Sequence, residues 1–351
     1  MPPRVTYWTG TWDPAKEATS KEINALRTGA RAHAPVVSFS PGQRTALMQR
    51  ERVLKISGRG WLALRGVAAV VERRGDITHI FGGHVSWHLF RALGRRPILL
   101  TAVAVRVGAE RLPHTNIARV AIEAETSRAE WLDAGIPRER IAFIPPGIDL
   151  DWFQPLPPPC EGKPAGRFAL LFASTPSDPA ELEPRGVPLL VELARARPDI
   201  DLIVPWRQWG DVSAAAREIE RLQPPANFLI THGDAPDMRT QYARAHATIA
   251  CFARGGGKAS PNFVLEGLAC GRPCLVTPDV GISNAVAISG AGLVSDRDVA
   301  SLSAAVDRLR SEWPAFSRRS RQFAEDQFGI RQFQARYDRL YDDILAESGR
   351  S

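Results

Sequence analysis

The residues with the clearest capacity for chemistry lie in one stretch, residues 258–277, KASPNFVLEGLACGRPCLVT. Ser260-Pro261-Asn262 ahead of an apolar run has the features of a helix start, because serine is a favoured N-cap and proline at the first helical position forfeits no bond. Gly271 stands where a helix end takes a left-handed residue, and Pro273 forbids continuation. The spacing therefore predicts a short helix over 261–270 docked directly before a strand at 273–277. A helix N-terminus offers unpaired N–H groups and the positive end of its dipole, which suits a phosphate. Glu266, just over a turn inside this helix, could accept hydrogen bonds from two vicinal hydroxyls of a ribose; equally, it could be an exposed helix residue with no partner. Two Asp-x-Asp pairs, Asp149/Asp151 and Asp199/Asp201, could hold a divalent cation, but both read better as turn residues beside strands, and no metal is expected. Cys270 and Cys274 have no second Cys or His pair to complete a zinc site, so the cysteines read as small buried hydrophobes.

These residues need a framework, and the chain alternates short apolar runs with helix-like segments. Strands are expected at 5–8, 35–39, 77–81, 97–103, 119–122 and 141–144, with helices at about 18–32 and 127–134. Residues 154–166, QPLPPPCEGKPAG, then interrupt the pattern with prolines and glycines that no regular element accommodates. Beyond them the alternation restarts, with strands at 168–173, 201–204, 227–231, 247–251 and 273–277. Helices fall at 187–196, 213–222, 236–245 and 261–270, and helical spacing continues over 299–310 and 317–348. Strand–helix alternation at this spacing predicts parallel sheets with helices on both faces. The expected organisation is an N-terminal domain over 1–153, a linker over 154–166 and a C-terminal domain over 167–329, with residues 330–351 packing back on the first domain.

Bulk properties narrow the partners. A chain of 351 residues exceeds one small core, and 44% hydrophobic with 24% charged residues is ordinary for a globular protein. No apolar run has the length of a membrane span, and the N-terminus lacks the apolar core of a secretory signal, so a cytoplasmic location is expected. The net charge of +7 calls for a polyanion, yet no zinc-finger spacing, RNA-binding aromatic signature or helix-turn-helix pattern favours nucleic acid. Phosphorylated substrate or membrane surface remains. Residues 44–74 are rich in basic residues interleaved with Leu54, Ile56, Trp61, Leu62 and Leu64. That stretch is either a cationic amphipathic surface for the inner face of an anionic membrane, or a solvated basic helix face.

The pattern PNFVLEGLACGRPCLVT resembles the donor-binding signature of the retaining family 4 glycosyltransferases, Glu-x7-Glu-(Ala/Gly)-x-Ala-x-Gly-x-Pro followed by an apolar strand. AFIPPGIDLDWF at 142–153, AETSRAEWLDAGI at 124–136 and SGAGLVS at 289–295 resemble flanking segments of that family in the same order, covering most of residues 117–300. The resemblance implies an α/β chain of GT-B fold, two doubly wound Rossmann-like domains facing across a cleft. The first would be the acceptor side, the second the nucleotide-sugar side. It implies sugar transfer from a nucleotide-diphosphate sugar to a glycan, lipid-linked or small-molecule acceptor, with retention, the donor being a substrate and no cofactor being needed. Glu266 would then hold the donor ribose, and the backbone of Ser260, Pro261, Asn262 and Phe263 would meet its sugar and diphosphate.

Several positions depart from the family. Lys258 stands where the first signature glutamate belongs, exchanging an acceptor of hydroxyl hydrogen bonds for an ammonium that can only attract anions. The Arg and Lys that neutralise the diphosphate in the family are represented by Arg185 alone, so Arg207 and Lys258 are candidates for the second cation. Arg207 could also be a surface arginine packed on Trp206 or Trp209. In the first domain, Gly10 matches the family's glycine loop, and His84, with His88, follows the third strand where the family places a histidine after the fourth. The expected catalytic set is Lys258, Arg185 and His84. Expected donor contacts are Gly10, Arg185, Arg207, Ser260–Phe263 and Glu266. The alternative is an inactive relative that kept the fold for binding or scaffolding.

Overall fold

The computed structural model describes residues 2–40, 46–50, 52–82, 92–103, 116–159, 167–207, 212–233 and 237–349. It divides into two compact units, one made of residues 1–147 and 330–351, the other of residues 148–329. The division at Gly147 and Ile148 precedes the proline-rich segment. Ile148 forms a parallel bridge with Gly329, and Leu150 and Phe153 pack on the core of the second unit, so residues 148–153, expected in the first domain, are held by the second unit.

The first unit is built on an eight-stranded sheet. Its strands are β1 (Val5–Thr9), β2 (Val36–Ser40), β3 (Ala46–Arg50), β4 (Val53–Ser57), β5 (Ile77–Phe81), β6 (Ile98–Ala102), β7 (Ile117–Ile122) and β8 (Ile141–Phe143). Their order across the sheet is β3-β4-β2-β1-β5-β6-β7-β8, parallel throughout except for the antiparallel edge pair β3/β4. β1, β5 and β6 are buried at every residue, as strands covered on both faces must be.

Of residues 44–74, the expected basic stretch, all but 44, 45 and 51 are described. They fold as the β3–β4 hairpin, a 3-10 turn (Gly58–Ala63) and the helix Leu64–Glu72. Leu54, Ile56 and Leu64 are spent on the core, while Leu62 stays exposed. Burial of one face of β4 dominates over the local charge pattern.

The helix Ile330–Ser348 belongs to this first unit. Phe333, Tyr337, Leu340, Tyr341 and Ile344 bury against β1, β5 and β6 residues. Beneath it His79 is fully enclosed, with Nδ1 2.8 Å from the Tyr341 hydroxyl and Nε2 2.7 Å from Thr101 Oγ1, which in turn lies 2.7 Å from the Tyr337 hydroxyl. Buried polar groups are tolerated when satisfied in this way.

The second unit carries β9 (Phe168–Leu171), β10 (Ile200–Trp206), β11 (Phe228–His232), β12 (Ala247–Ala250), β13 (Cys274–Val276) and β14 (Gly292–Val294), in the order β11-β10-β9-β12-β13-β14 and all parallel. The chain leaves β9 for β10 on one side and later returns to β12 on the other, so the strand order reverses beside β9. A crevice outside the carboxyl ends of β9 and β12 is the place where such sheets bind ligands. The segment 289–295 contributes β14 as well as a turn, and the helical run at 317–348 is broken at Phe328 and Gly329 into Trp313–Gln327 and Ile330–Ser348.

Candidate functional site

The residues after β9, β10 and β12 gather at this switch point. The helix after β12 runs Asn262–Ala269, one residue later than the serine cap predicts. Pro261 itself occupies the N-cap, in extended backbone (φ −66°, ψ 122°), and its carbonyl accepts the first helical bonds from the N–H of Val264 and Leu265. Ser260 is buried and is not the N-cap. Phe263 through Ala269 are all buried, so this helix is held by its whole circumference rather than by one face. Gly271 ends it at φ +72°, with the Gly271 N–H bonded to Leu268 O (3.0 Å) and the Arg272 N–H to Gly267 O (2.8 Å), the paired bonds of a Schellman motif.

Glu266 is buried, which discards the picture of an exposed helix residue. The hydroxyl of Tyr242 lies 2.9 Å from Glu266 Oε2 and 2.9 Å from Phe263 O, sharing its proton between them. Burial and the Glu266 charge push the Tyr242 hydroxyl well above its ordinary pKa, so it stays a donor at any working pH. Tyr242 is itself fixed by Arg272, whose Nε donates to its carbonyl (2.9 Å) while the guanidinium holds the carbonyls of Leu156 and Pro157. Nothing in local sequence signals a contact spanning 24 residues, and Tyr242 and Arg272 are the positioning residues that composition and spacing do not reveal.

Arg185 reaches the same region from the loop after β9. Its Nη1 donates to Ser174 Oγ (2.6 Å) and its Nη2 pairs with Glu181 (3.0 Å). Burial lowers its pKa, Glu181 opposes that, and the Arg207 charge adds to it. A guanidinium remains protonated under such a shift, so this is a partly desolvated cation. The adjoining Gly186 has φ +78°, and a Cβ there would stand 2.4 Å from the carbonyl oxygen of Cys251, so only glycine lets the Arg185 loop lie against the segment after β12. Arg297 ties the two loops, donating to Cys251 O and to Glu183.

Arg207 follows β10, and its N–H donates to Thr175 Oγ1 (3.1 Å). Its charge is a minor influence on both Arg185 and Tyr242. Trp206 is buried in the core rather than lying at the surface, and Trp209 lies outside the described residues. Lys258 is half-buried, and its Nζ donates to Asn262 Oδ1 at 2.7 Å, joining it to the first residue of the helix.

Of the expected site residues, Arg185, Arg207, Lys258, Ser260, Pro261, Asn262, Phe263 and Glu266 all belong to the second unit, in the segments that follow β9, β10 and β12. Gly10 belongs to the first unit, in the bend after β1, where its carbonyl accepts from Ser40 Oγ (2.7 Å). His84 and His88 lie outside the described residues. The Asp-x-Asp residues have structural partners. Asp149 accepts the N–H of Asp151 and Trp152, Asp199 pairs with Arg197 and Arg310, and Asp201 with Arg167. Cys251, Cys270 and Cys274 are free buried thiols, each pushed up to about 12 by burial. Among the described residues no helix is long and apolar enough to cross a membrane.

Arg185, Arg207 and Glu266 follow β9, β10 and β12, the strands around the point where the order of this parallel sheet reverses, which is where such sheets bind ligands. Residues 190–312 match the family model described as Glycosyl transferases group 1, a span that includes Arg207, Lys258 and Glu266. No curated protein matches the sequence. The structure is similar to HepE of Anabaena in complex with UDP-glucose (TM-score 0.74, 12% identity, covering 98% of this chain and 99% of that one). It is also similar to the sucrose-phosphate synthase of Thermosynechococcus elongatus (0.73, 15%, 98% and 100%). A glycosyltransferase from Rickettsia africae is similar to the same degree (0.73, 16%, 98% and 99%). The fold is that of the GT-B glycosyltransferases, with two Rossmann-like domains each built on a parallel sheet.

Proposed function

We propose that the protein transfers a sugar from a nucleoside-diphosphate donor to an acceptor hydroxyl, with retention at the anomeric carbon. The observation that carries this is the buried Glu266 carboxylate, aimed by Tyr242 at the sheet's switch point beside Arg185 and Arg207. Glu266 takes the ribose hydroxyls, for which a carboxylate is a paired acceptor. Arg185 and Arg207 offset charge on the diphosphate as it departs, and a partly desolvated guanidinium does this more strongly than a solvated one. With no nucleophilic side chain assigned, departure and attack on the same face depend on positioning and charge. The acceptor class remains a glycan, a lipid-linked sugar or a small molecule. UDP is the first nucleotide to try, because HepE was crystallised with it.

Calorimetry with UDP tests the proposal. Saturable binding that weakens at least tenfold in Glu266→Ala and in Arg185→Ala is expected; absence of binding by every nucleoside diphosphate overturns it. Lys258 motivates a second reading, a binding protein without turnover, since an ammonium cannot replace a hydroxyl acceptor. That reading requires UDP binding with no hydrolysis or transfer from any UDP-sugar, in the native chain and in Lys258→Glu alike.

A further inference from the structure

The first unit contains a half-open cavity of about 980 Å³ at the end of the sheet where β1, β2 and β4 begin, remote in sequence from the Glu266 group. One wall is a helical stripe, Val67, Val70, Val71 and Arg74, at positions i, i+3, i+4 and i+7. Val67 and Val71 lie partly buried against the core, while Val70 is 54% exposed, so the outer edge of this apolar face is left uncovered. The rest of the lining adds Val, Leu, Ala, Pro and Gln49 side chains and four more cationic or titratable groups, Arg4, Arg31, His33 and Arg52, with no carboxylate. Arg4 is neutralised by Asp76 and Arg31 by Asp338. Arg52 and Arg74 have no acidic partner among the described residues, and Arg52 donates only to the His33 carbonyl (3.1 Å).

Two local features keep this cavity open and charged. Gly66 sits inside the helix Leu64–Glu72, where glycine is a poor helix former, yet a Cβ there would meet nothing within 4 Å. No neighbour demands glycine; its missing side chain is cavity space. Arg52 holds a left-handed backbone (φ +62°) in the β3–β4 turn, a conformation that glycine or asparagine adopts at lower cost, and there it presents a guanidinium to the lining.

We propose that this cavity binds an amphiphilic organic anion, its acidic head on Arg52 and Arg74 and its hydrocarbon chain along the Val67–Val70–Val71 stripe. Apolar walls with two uncompensated guanidinium groups complement a chain that ends in a phosphate or carboxylate, and neither a sugar nor a bare anion uses both.

The test is calorimetry with dodecyl phosphate below its micellar concentration, against inorganic phosphate. One ligand per chain is expected, at least tenfold tighter than phosphate and at least tenfold weaker in the double variant Arg52→Ala/Arg74→Ala. Gly66→Leu fills the cavity from an exposed helical position; it is expected to abolish binding with the melting temperature unchanged or raised. No saturable binding, equal affinity for inorganic phosphate, or binding unaffected by Gly66→Leu each overturns the proposal. Co-sedimentation with phosphatidylglycerol vesicles identifies the source. Loss of vesicle binding in Gly66→Leu assigns a membrane lipid, and no vesicle binding by the native chain assigns a soluble amphiphile.

Discussion

At the scale of single residues, the crevice depends on contacts that fix a charge rather than create one. Tyr242 holds Glu266 Oε2 and Phe263 O with one hydroxyl, so Tyr242→Phe leaves two buried acceptors short of a donor. The expected cost is about 1–3 kcal/mol of stability, read in urea denaturation. UDP affinity should fall with it, whereas a surface change of equal destabilisation should leave affinity intact. Gly186 offers a sharper case. Alanine there must adopt φ +78° with its Cβ 2.4 Å from Cys251 O, and a loss on the order of 1–3 kcal/mol or more is expected. A Gly186→Ala protein as stable as the native chain would show that the Arg185 loop can leave the β12 segment. Glu266 as a candidate was legible from its place in a signature-like stretch. Its burial was not, because the partner that buries and aims it comes from a helix 24 residues away.

At the scale of elements, the short helix Asn262–Ala269 is stopped by chemistry visible in the sequence and started by chemistry that is not. Gly271 at φ +72° closes the Schellman pair, and Gly271→Ala should cost about 1–2 kcal/mol, checked by thermal melting. At the other end, serine-then-proline matches a frequent pattern, but Pro261 takes the cap position and Ser260 is buried. The C-terminal helix shows the same division. Its period predicts a helix over 317–348, while only packing separates Ile330–Ser348 and seats it on β1, β5 and β6. A chain ending at Gly329 would uncover Tyr7, His79 and Thr101 and strip His79 of the Tyr341 hydroxyl and Thr101 of the Tyr337 hydroxyl. It should lose far-ultraviolet ellipticity well beyond the deleted helix and bind a hydrophobic dye.

At the scale of the whole molecule, acid is expected to weaken both units. In the first, burial, with a smaller contribution from Arg31, holds His79 well below its ordinary pKa. In the second, burial, with Arg272 and Arg310, lowers His246 to about 4, and its Nδ1 accepts the Ala169 N–H (3.0 Å), which requires that nitrogen unprotonated. For both histidines the folded value lies below the unfolded value of about 6.5. The unfolded chain therefore binds protons first as pH falls, so the contribution is present above pH 6.5 and lost progressively towards pH 4. Melting temperatures should decline over that interval, and His246→Gln should flatten part of the decline. A melting temperature constant from pH 7 to 4.5 would contradict the buried neutral state of both rings.

The alternation of apolar runs with helical periods is a local property, set by which faces of each segment avoid water, and it determined the parallel α/β architecture and nearly every strand of the second unit. The β3–β4 hairpin escaped that logic because its charges mask a half-buried strand, and β14 because three residues carry too little pattern. The stretch 258–277 likewise pointed to a short helix carrying a carboxylate before a strand, since the carboxylate and the glycine stop are encoded side by side. Only the tertiary structure decided what those residues can do. It set Arg185 beside Ser174 and Glu181, brought the Arg207 charge to bear on Arg185 and Tyr242, and fixed Glu266 under Tyr242. These are contacts between loops that follow different strands, and the sheet order that makes those loops neighbours is a consequence of packing the whole chain.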